Sequence, residues 1–342
     1  MAVTRFGSGR AIHGSGVPPA PIARPGNNNS WEATLPVDPQ IQAMLDRAAH
    51  LPGTHTLSVA DARARYDALV KVLPPAAPVA RVEERVIDGP GGPLTLRLYT
   101  PEGTGPFPVV VFFHGSGFVL CSLDTHDGMC RNLCGGAGAL VVSVDYRLAP
   151  EHRFPAAPQD CLMATRWAAA HAAELGDDPT RIVVAGDSAG GNLAAVTALR
   201  IRDEGGPALV GQLLLYPATA HCSADMPSYA ENAVGYGLTR ATMEWFWGHY
   251  ADPSAATDPH AAPLVAPDLS RLPPALVQVA EYDPLRDEGV RYAERLLAAH
   301  VPTELSRWDG MNHGFLFWVN QVDAATEAMR EACAWLQRTF RK

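Results

Sequence analysis

The stretch at residues 181–193 constrains the fold more than any other. A β-branched run at 182–185 leads directly into Gly-Asp-Ser-Ala-Gly at 186–190, and a helix-compatible run follows. This is the pattern G-x-S-x-G between a strand and a helix, in which small residues let the two elements approach closely. The pattern predicts a strained turn that presents Ser188 as a nucleophile at the carboxyl edge of a sheet. A chance glycine–serine turn is the alternative, and the flanking strand and helix favour the nucleophile.

The rest of the chain supplies further strands for such a sheet. Largely continuous apolar runs, typical of strands buried on both faces, lie at 109–113, 140–144, 182–185, 213–216 and 275–279. Helices are predicted at 159–173, 192–202, 287–300 and 322–337, and a hairpin at 81–88 and 94–100. The predicted fold class is therefore α/β, with a mostly parallel central sheet flanked by helices.

Two amphipathic helices are predicted ahead of the first strand. Ile41 and Leu45 share one face of the first helix, and Ser58 with Asp61 resembles a capping box that opens the second. Their apolar faces either complete the core or roof a pocket. Residues 1–30 contain arginines but no acidic residue and no apolar signal region, so they are interpreted as a flexible leader.

Composition limits the function classes. The net charge is −9 with no basic stripe, which argues against nucleic acid as a partner. No apolar run reaches the roughly 18 residues needed to span a bilayer, so no membrane partner is predicted. The six cysteines form no C-x-x-C pair and have mostly apolar neighbours, which favours free thiols in a reducing cytoplasm. Cys130 and Cys134 have helical spacing, but no nearby ligand pair completes a metal set, so no metal is predicted.

A nucleophilic serine needs a base, a residue that orients the base, and donors for an oxyanion. Asp283 follows a predicted strand, and His313 lies in a loop before the last helix. Taken alone, Asp283 is as readily a helix N-cap and a His-Gly pair is usually a turn, but their order after Ser188 favours catalysis. The His-Gly-Ser-Gly stretch at 114–117 follows a central strand, and its backbone N–H groups with that of Ala189 are predicted to form an oxyanion hole.

The chain resembles the bacterial hormone-sensitive-lipase-like carboxylesterases, in the branch that carries Gly-Asp-Ser-Ala-Gly-Gly, over roughly residues 38–340. The matching segments are His114-Gly-Ser-Gly, Asp145-Tyr-Arg-Leu-Ala-Pro-Glu, Phe154-Pro-Ala-Ala, Gly186-Asp-Ser-Ala-Gly-Gly, Leu215-Tyr-Pro, Asp283-Pro-Leu-Arg-Asp and His313-Gly-Phe. The resemblance implies an α/β-hydrolase fold with a helical cap. Residues 31–75 are accordingly interpreted as cap helices and 76–342 as the catalytic domain, with 218–270 contributing a second cap segment.

The resemblance also implies roles for individual residues. These are Ser188 as nucleophile, His313 as base, Asp283 as its orienting residue, and the backbone N–H groups of Ser116, Gly117 and Ala189 as oxyanion donors. Phe118, Asp187 and Phe315, next to these motifs, are predicted to contact the substrate, and 145–151 is interpreted as a structural brace. The family pattern is His-Gly-Gly-Gly, whereas this chain has Ser116 at the third position, where a Cβ restricts positive φ. The departure bears on rate and substrate preference and not on the reaction class.

The predicted function is a serine-dependent carboxylesterase that hydrolyses short- to medium-chain acyl esters through an acyl-enzyme, without a cofactor. Its partner is a small-molecule ester, and the sequence leaves open a homodimer. A small-molecule receptor is an alternative, because the plant gibberellin receptor resembles this family without a complete triad; the presence of His313 favours turnover. An amidase or a deacetylase would use the same nucleophile and oxyanion hole, so the sequence does not separate these activities.

Overall fold

A computed structural model describes residues 36–71 and 77–342. The predicted leader at 1–30 lies outside the described residues, as do 31–35 and 72–75 of the predicted cap segment. The helices are α1 Pro39–Ala48, α2 Val59–Val70, α3 Asp127–Ala137, α4 Ala156–Leu175, α5 Ala189–Glu204, α6 Pro227–Glu231, α7 Arg240–Tyr250, α8 Arg286–Ala298 and α9 Asp323–Thr339. The strands are β1 Arg81–Gly89, β2 Gly92–Thr100, β3 Phe107–Phe113, β4 Leu140–Val144, β5 Asp177–Asp187, β6 Leu209–Leu215, β7 Ala275–Tyr282 and β8 Thr303–Asn312.

The strands form one 8-stranded sheet in the order β1-β2-β4-β3-β5-β6-β7-β8. The hairpin β1–β2 is antiparallel, as is the pairing of β2 with β4, and every pair from β4 to β8 is parallel. Because parallel strands place their carboxyl ends at one edge, residues that follow β3, β5, β7 and β8 meet there. The predicted α/β class with a mostly parallel sheet is confirmed.

Helices cover both faces of the sheet, and alternate strand residues point to opposite faces. Val109 and Val111 of β3 belong to the core beneath α4, α5 and α8. Val110 and Phe112 belong to the core beneath α3 and α9. This burial on both faces explains why the central strands are continuous apolar runs.

Helix α3 is an element that the sequence pattern does not predict. It contains adjacent glycines at 135 and 136, which weaken the helical signal because glycine disfavours a helix interior. The structure gives a reason for one of them. A Cβ at Gly136 would lie 2.5 Å from Cys333 Sγ of α9, so the two helices pack too closely for a side chain there.

Helices α1 and α2 form as predicted, and α2 is tied to loops of the sheet. The backbone N–H of Asp61 donates to the Ser58 hydroxyl at 3.1 Å, which caps α2. Arg63 of α2 donates to the carbonyls of Val119 and Ala149, each at 2.9 Å. It also binds both carboxylate oxygens of Glu151 and lowers the pKa of that carboxyl to about 2. Within the described part of the chain, no helix is both long and apolar enough to cross a membrane.

Candidate active site

Ser188 lies in the turn between β5 and α5, with φ 54° and ψ −118°. These angles are rare for a residue with a side chain and cost of order 1–3 kcal/mol, so the surrounding structure must hold them. The backbone N–H of Ser188 donates to the carbonyl of Leu215 at 2.8 Å, and its carbonyl accepts from the N–H of Asn192 at 3.1 Å. The turn therefore presents the serine hydroxyl at the carboxyl edge of the sheet.

The glycines on either side of this turn have no room for a side chain. A Cβ at Gly190 would lie 1.8 Å from the carbonyl oxygen of Phe113, and one at Gly186 would lie 2.2 Å from the carbonyl oxygen of Gly190. Strand and helix thus approach as closely as the spacing in the sequence predicts.

The structure brings together the three side chains that the sequence places far apart. His313 Nε2 lies 2.9 Å from Ser188 Oγ, and His313 Nδ1 lies 2.7 Å from Asp283 Oδ2. Asp283 is fully buried at the end of β7, and its other oxygen accepts from the N–H of Leu285 at 2.8 Å. An ionised carboxylate only accepts, so Nδ1 carries the imidazole proton and Nε2 is free to accept from the Ser188 hydroxyl.

Tyr216 is a contact of His313 to which the sequence pattern assigned no role. Its ring packs edge-on against the imidazole, with centroids 5.0 Å apart, and against Phe315 at 5.6 Å. Tyr216 directly follows β6 and has a positive φ of 35°, which turns the chain toward the His313 loop. The Leu-Tyr-Pro motif at 215–217 is the feature of the sequence that could have pointed to Tyr216.

The loop after β3 lies against the Ser188 turn. Ser116, Gly117 and Phe118 have consecutive positive φ values of 77°, 65° and 64°. Such a run turns the backbone N–H groups away from their usual strand directions. A Cβ at Gly117 would lie 2.1 Å from Cγ of Phe246, so the ring of an α7 residue rests on this glycine. The loop thus places Ser116 and Gly117 at the sheet edge where Ala189 begins α5.

The side chain of Ser116 is engaged within its own loop. Its hydroxyl oxygen lies 2.9 Å from Sγ of Cys121. Burial raises the pKa of the Cys121 thiol to about 12, so the sulfur keeps its proton and donates to Ser116. All six cysteines lie within the described residues, and each is free and buried. Among all the residues that the structure describes, no group of three or more His, Cys, Asp or Glu side chains could hold a metal ion.

The residues predicted to contact substrate lie deeper than the sequence suggests. Asp187 is 1% exposed, and its carboxylate accepts from the N–H of Gly115 at 2.9 Å. Phe118 is buried and stacks on Tyr250, with ring centroids 3.7 Å apart. Phe315 is fully buried beneath Tyr216.

The sheet, the strained serine turn and the Ser–His–Asp chain define a serine hydrolase of the α/β class. A family model described as alpha/beta hydrolase fold matches residues 110–317. The chain is 45% identical over 311 residues to an esterase, LipI, of Mycobacterium tuberculosis, covering 89% of this chain and 95% of that one. It is 46% identical over 312 residues to carboxylesterase NlhH of the same species, covering 89% and 96%.

Solved structures agree with this comparison. A hyperthermophilic esterase from the archaeon Pyrobaculum calidifontis superimposes with a TM-score of 0.86 at 42% identity, covering 89% of this chain and 99% of that one. A thermostable esterase from Pseudomonas putida does so with a TM-score of 0.86 at 40% identity, covering 90% and 99%. The chain belongs to the hormone-sensitive-lipase-like carboxylesterase family of α/β-hydrolases. It is a carboxylic ester hydrolase.

Proposed function

We propose that Ser188 is the nucleophile of this esterase, His313 its general base and acid, and Asp283 the residue that orients the imidazole. The single observation that supports this assignment is the unbroken hydrogen-bonded chain from Ser188 Oγ through both nitrogens of His313 to the buried Asp283. We also propose that the backbone N–H groups of Ser116 and Gly117, with that of Ala189, bind the oxyanion, because these residues lie at the sheet edge that carries Ser188.

Acylation begins when Ser188 Oγ attacks the ester carbonyl carbon while its proton passes to His313 Nε2. The carbonyl π electrons move to oxygen, and the backbone N–H groups stabilise this oxyanion. The imidazolium that forms is stabilised by the Asp283 carboxylate. When the intermediate collapses, the C–O bond to the alcohol breaks and the proton on Nε2 passes to the leaving alkoxide.

Deacylation repeats the sequence with water as the nucleophile. His313 Nε2 takes a proton from water as the water oxygen attacks the acyl carbon, and the same N–H groups hold the second oxyanion. Collapse breaks the bond to Ser188 Oγ, and Nε2 returns the proton to the serine. The products are one carboxylic acid and one alcohol for each water consumed, and no cofactor enters the balance.

We propose small-molecule esters with short to medium acyl chains as substrates. Both predicted cap segments contact the loop after β3, which carries two of the proposed oxyanion donors. Phe246 of the 218–270 segment rests on Gly117, and Arg63 of the N-terminal segment holds the carbonyl of Val119. The two segments also meet each other, since His55 Nδ1 lies 3.4 Å from the Thr242 hydroxyl. A covered loop leaves limited apolar space for an acyl chain.

Phe246→Ala tests this cap. Removing the ring opens space beside Gly117, so we expect kcat/KM to shift from acetate and butyrate toward octanoate among p-nitrophenyl esters. The ratio should change by roughly tenfold, the low end of the effect of one methylene. Trp167→Ala on α4, whose ring stacks on His171, is the matched loss of an aromatic side chain. We expect the control to leave the ratio unchanged. An unchanged ratio in Phe246→Ala as well would show that the cap does not set chain length.

Ser116→Gly tests whether the serine hydroxyl takes part in catalysis. Its oxygen is bonded to Cys121, and the other proposed donors are backbone groups, so we expect kcat to stay the same or rise slightly. Glycine also removes positive-φ strain of order 1 kcal/mol. Steady-state kinetics on p-nitrophenyl butyrate measure the effect. Cys121→Ala removes the hydrogen bond to the Ser116 hydroxyl but keeps the hydroxyl, so it separates loss of that bond from loss of the hydroxyl itself. A fall in kcat of roughly a hundredfold, the scale of one lost donor, would assign the hydroxyl to the oxyanion.

The reaction class is tested with p-nitrophenyl esters of graded chain length beside the matching anilide. We expect turnover of the esters that is abolished in Ser188→Ala.

The free, buried cysteines lead us to propose a reducing, cytoplasmic location. Whether the enzyme acts as a homodimer is measured by sedimentation of the full chain.

A further inference from the structure

The peptide group that joins His114 to Gly115 is held at both ends by buried side chains. The Tyr146 hydroxyl donates to the carbonyl oxygen of His114 at 2.7 Å. At the other end, the N–H of Gly115 donates to Asp187 Oδ1 at 2.9 Å. Two hydrogen bonds in opposite directions restrain the tilt of this peptide plane.

The side chains around this peptide are buried, and their protonation states are fixed. Tyr146 is 2% exposed, and burial raises the pKa of its phenol well above the usual value, so the hydroxyl keeps its proton and donates. The His114 ring stacks on Tyr146 with centroids 4.3 Å apart. Burial lowers the pKa of His114 to about 3, so this imidazole stays neutral beneath the loop.

His126 lies against the contact between Asp187 and Gly115. His126 Nε2 lies 3.2 Å from Asp187 Oδ1, and both side chains are buried. His126 Nδ1 lies 2.9 Å from the Thr125 hydroxyl, which donates its own proton to the carbonyl of Ser122. The Thr125 oxygen therefore accepts from Nδ1–H, and the N–H of Gly115 donates to Nε2 at 3.3 Å as well as to Asp187.

We infer that Tyr146 and Asp187 are positioning residues that aim the oxyanion donors. They fix the 114–115 peptide, and the proposed donors are the N–H groups of the next two residues, 116 and 117. Because Asp187 directly precedes Ser188 in the chain, one residue sets the distance between the nucleophile and the donors. This inference rests on the proposed oxyanion hole, and it gives Asp187 a role other than the predicted contact with substrate.

Tyr146→Phe removes one hydroxyl and leaves the ring. We expect kcat/KM for p-nitrophenyl butyrate to fall roughly tenfold, less than the full loss of a donor, because the N–H groups remain but are no longer held in line. A trifluoromethyl ketone forms a hemiketal with the serine and presents an oxyanion to the same donors. Its inhibition constant should rise by the same factor as kcat/KM falls. The corresponding alcohol has no carbonyl, and its affinity should not change.

Three further variants separate positioning from stability. Tyr292→Phe is the matched control, because Tyr292 is fully buried and its hydroxyl has no hydrogen-bond partner among the described residues. We expect wild-type kinetics from it. Asp187→Asn keeps an oxygen that accepts from Gly115, whereas Asp187→Ala does not. The asparagine variant should therefore retain more of the ketone affinity than the alanine variant.

The outcomes distinguish this inference from the proposed function. If the ketone does not inhibit the wild-type enzyme or does not add to Ser188, the proposed nucleophile is wrong. If it does, but Tyr146→Phe keeps wild-type kcat/KM, the positioning role is overturned. A fall in kcat/KM with unchanged ketone affinity would also overturn it, because a general loss of folded enzyme lowers activity without weakening one oxyanion contact.

Discussion

Replacing Ser188 by alanine is expected to lower kcat for p-nitrophenyl butyrate by about 10⁶-fold, the scale measured for losing a serine-protease nucleophile. The variant keeps the backbone bonds to Leu215 and Asn192, because these involve no side-chain atom of residue 188. Folding should therefore be preserved. Residual activity above the uncatalysed rate would come from the oxyanion donors alone.

Ser143→Ala is the matched control for this substitution. Ser143 is also a buried serine, in β4, the strand that pairs with β3. We expect its kcat to stay near the wild-type value. Thermal unfolding of both variants checks that the loss in Ser188→Ala is not a loss of folded protein. Substantial turnover by a folded Ser188→Ala enzyme would contradict the proposed mechanism.

Asp283→Asn is expected to lower kcat by about 10⁴-fold, as the equivalent change does in a serine protease. The asparagine amide can donate to His313 Nδ1, which then carries no proton. The imidazole proton moves to Nε2, and Nε2 can no longer accept from Ser188. Geometry is preserved but the tautomer is wrong, so kcat falls far more than KM changes.

Asp287→Asn is the control, because Asp287 is the other carboxylate in the same motif. Its oxygens accept from the N–H of Ser228 at 2.8 Å and bind Arg286 at 2.8 Å, away from the imidazole. Steady-state kinetics of the two variants side by side should show a large loss only for Asp283→Asn. A large loss for Asp287→Asn with near-normal Asp283→Asn would move the orienting role to Asp287.

The fold can be predicted well from the sequence because strands that are buried on both faces are continuous apolar runs. The central strands lie where continuous apolar runs place them, and the Ser188 turn lies between β5 and α5 as its small residues require. The order of Ser188, Asp283 and His313 along the chain translates into proximity because parallel strands end at a common edge.

What the sequence does not reveal depends on contacts between distant segments. Helix α3 is hidden because a glycine that weakens the helical signal is needed for packing against Cys333. Asp187 is next to the nucleophile, and only the fold shows that its carboxylate turns inward to Gly115. The bond from Cys121 to Ser116 likewise depends on a turn with positive φ values that no local pattern specifies.

The most direct test of this account is to identify the residue that becomes covalently modified. The enzyme is treated with diethyl p-nitrophenyl phosphate, digested, and its peptides are sequenced by mass spectrometry. We expect one diethylphosphoryl group, on Ser188, appearing in step with the loss of esterase activity and absent from Ser188→Ala. Loss of activity with the adduct on another residue, and an unmodified Ser188, would contradict the central claim.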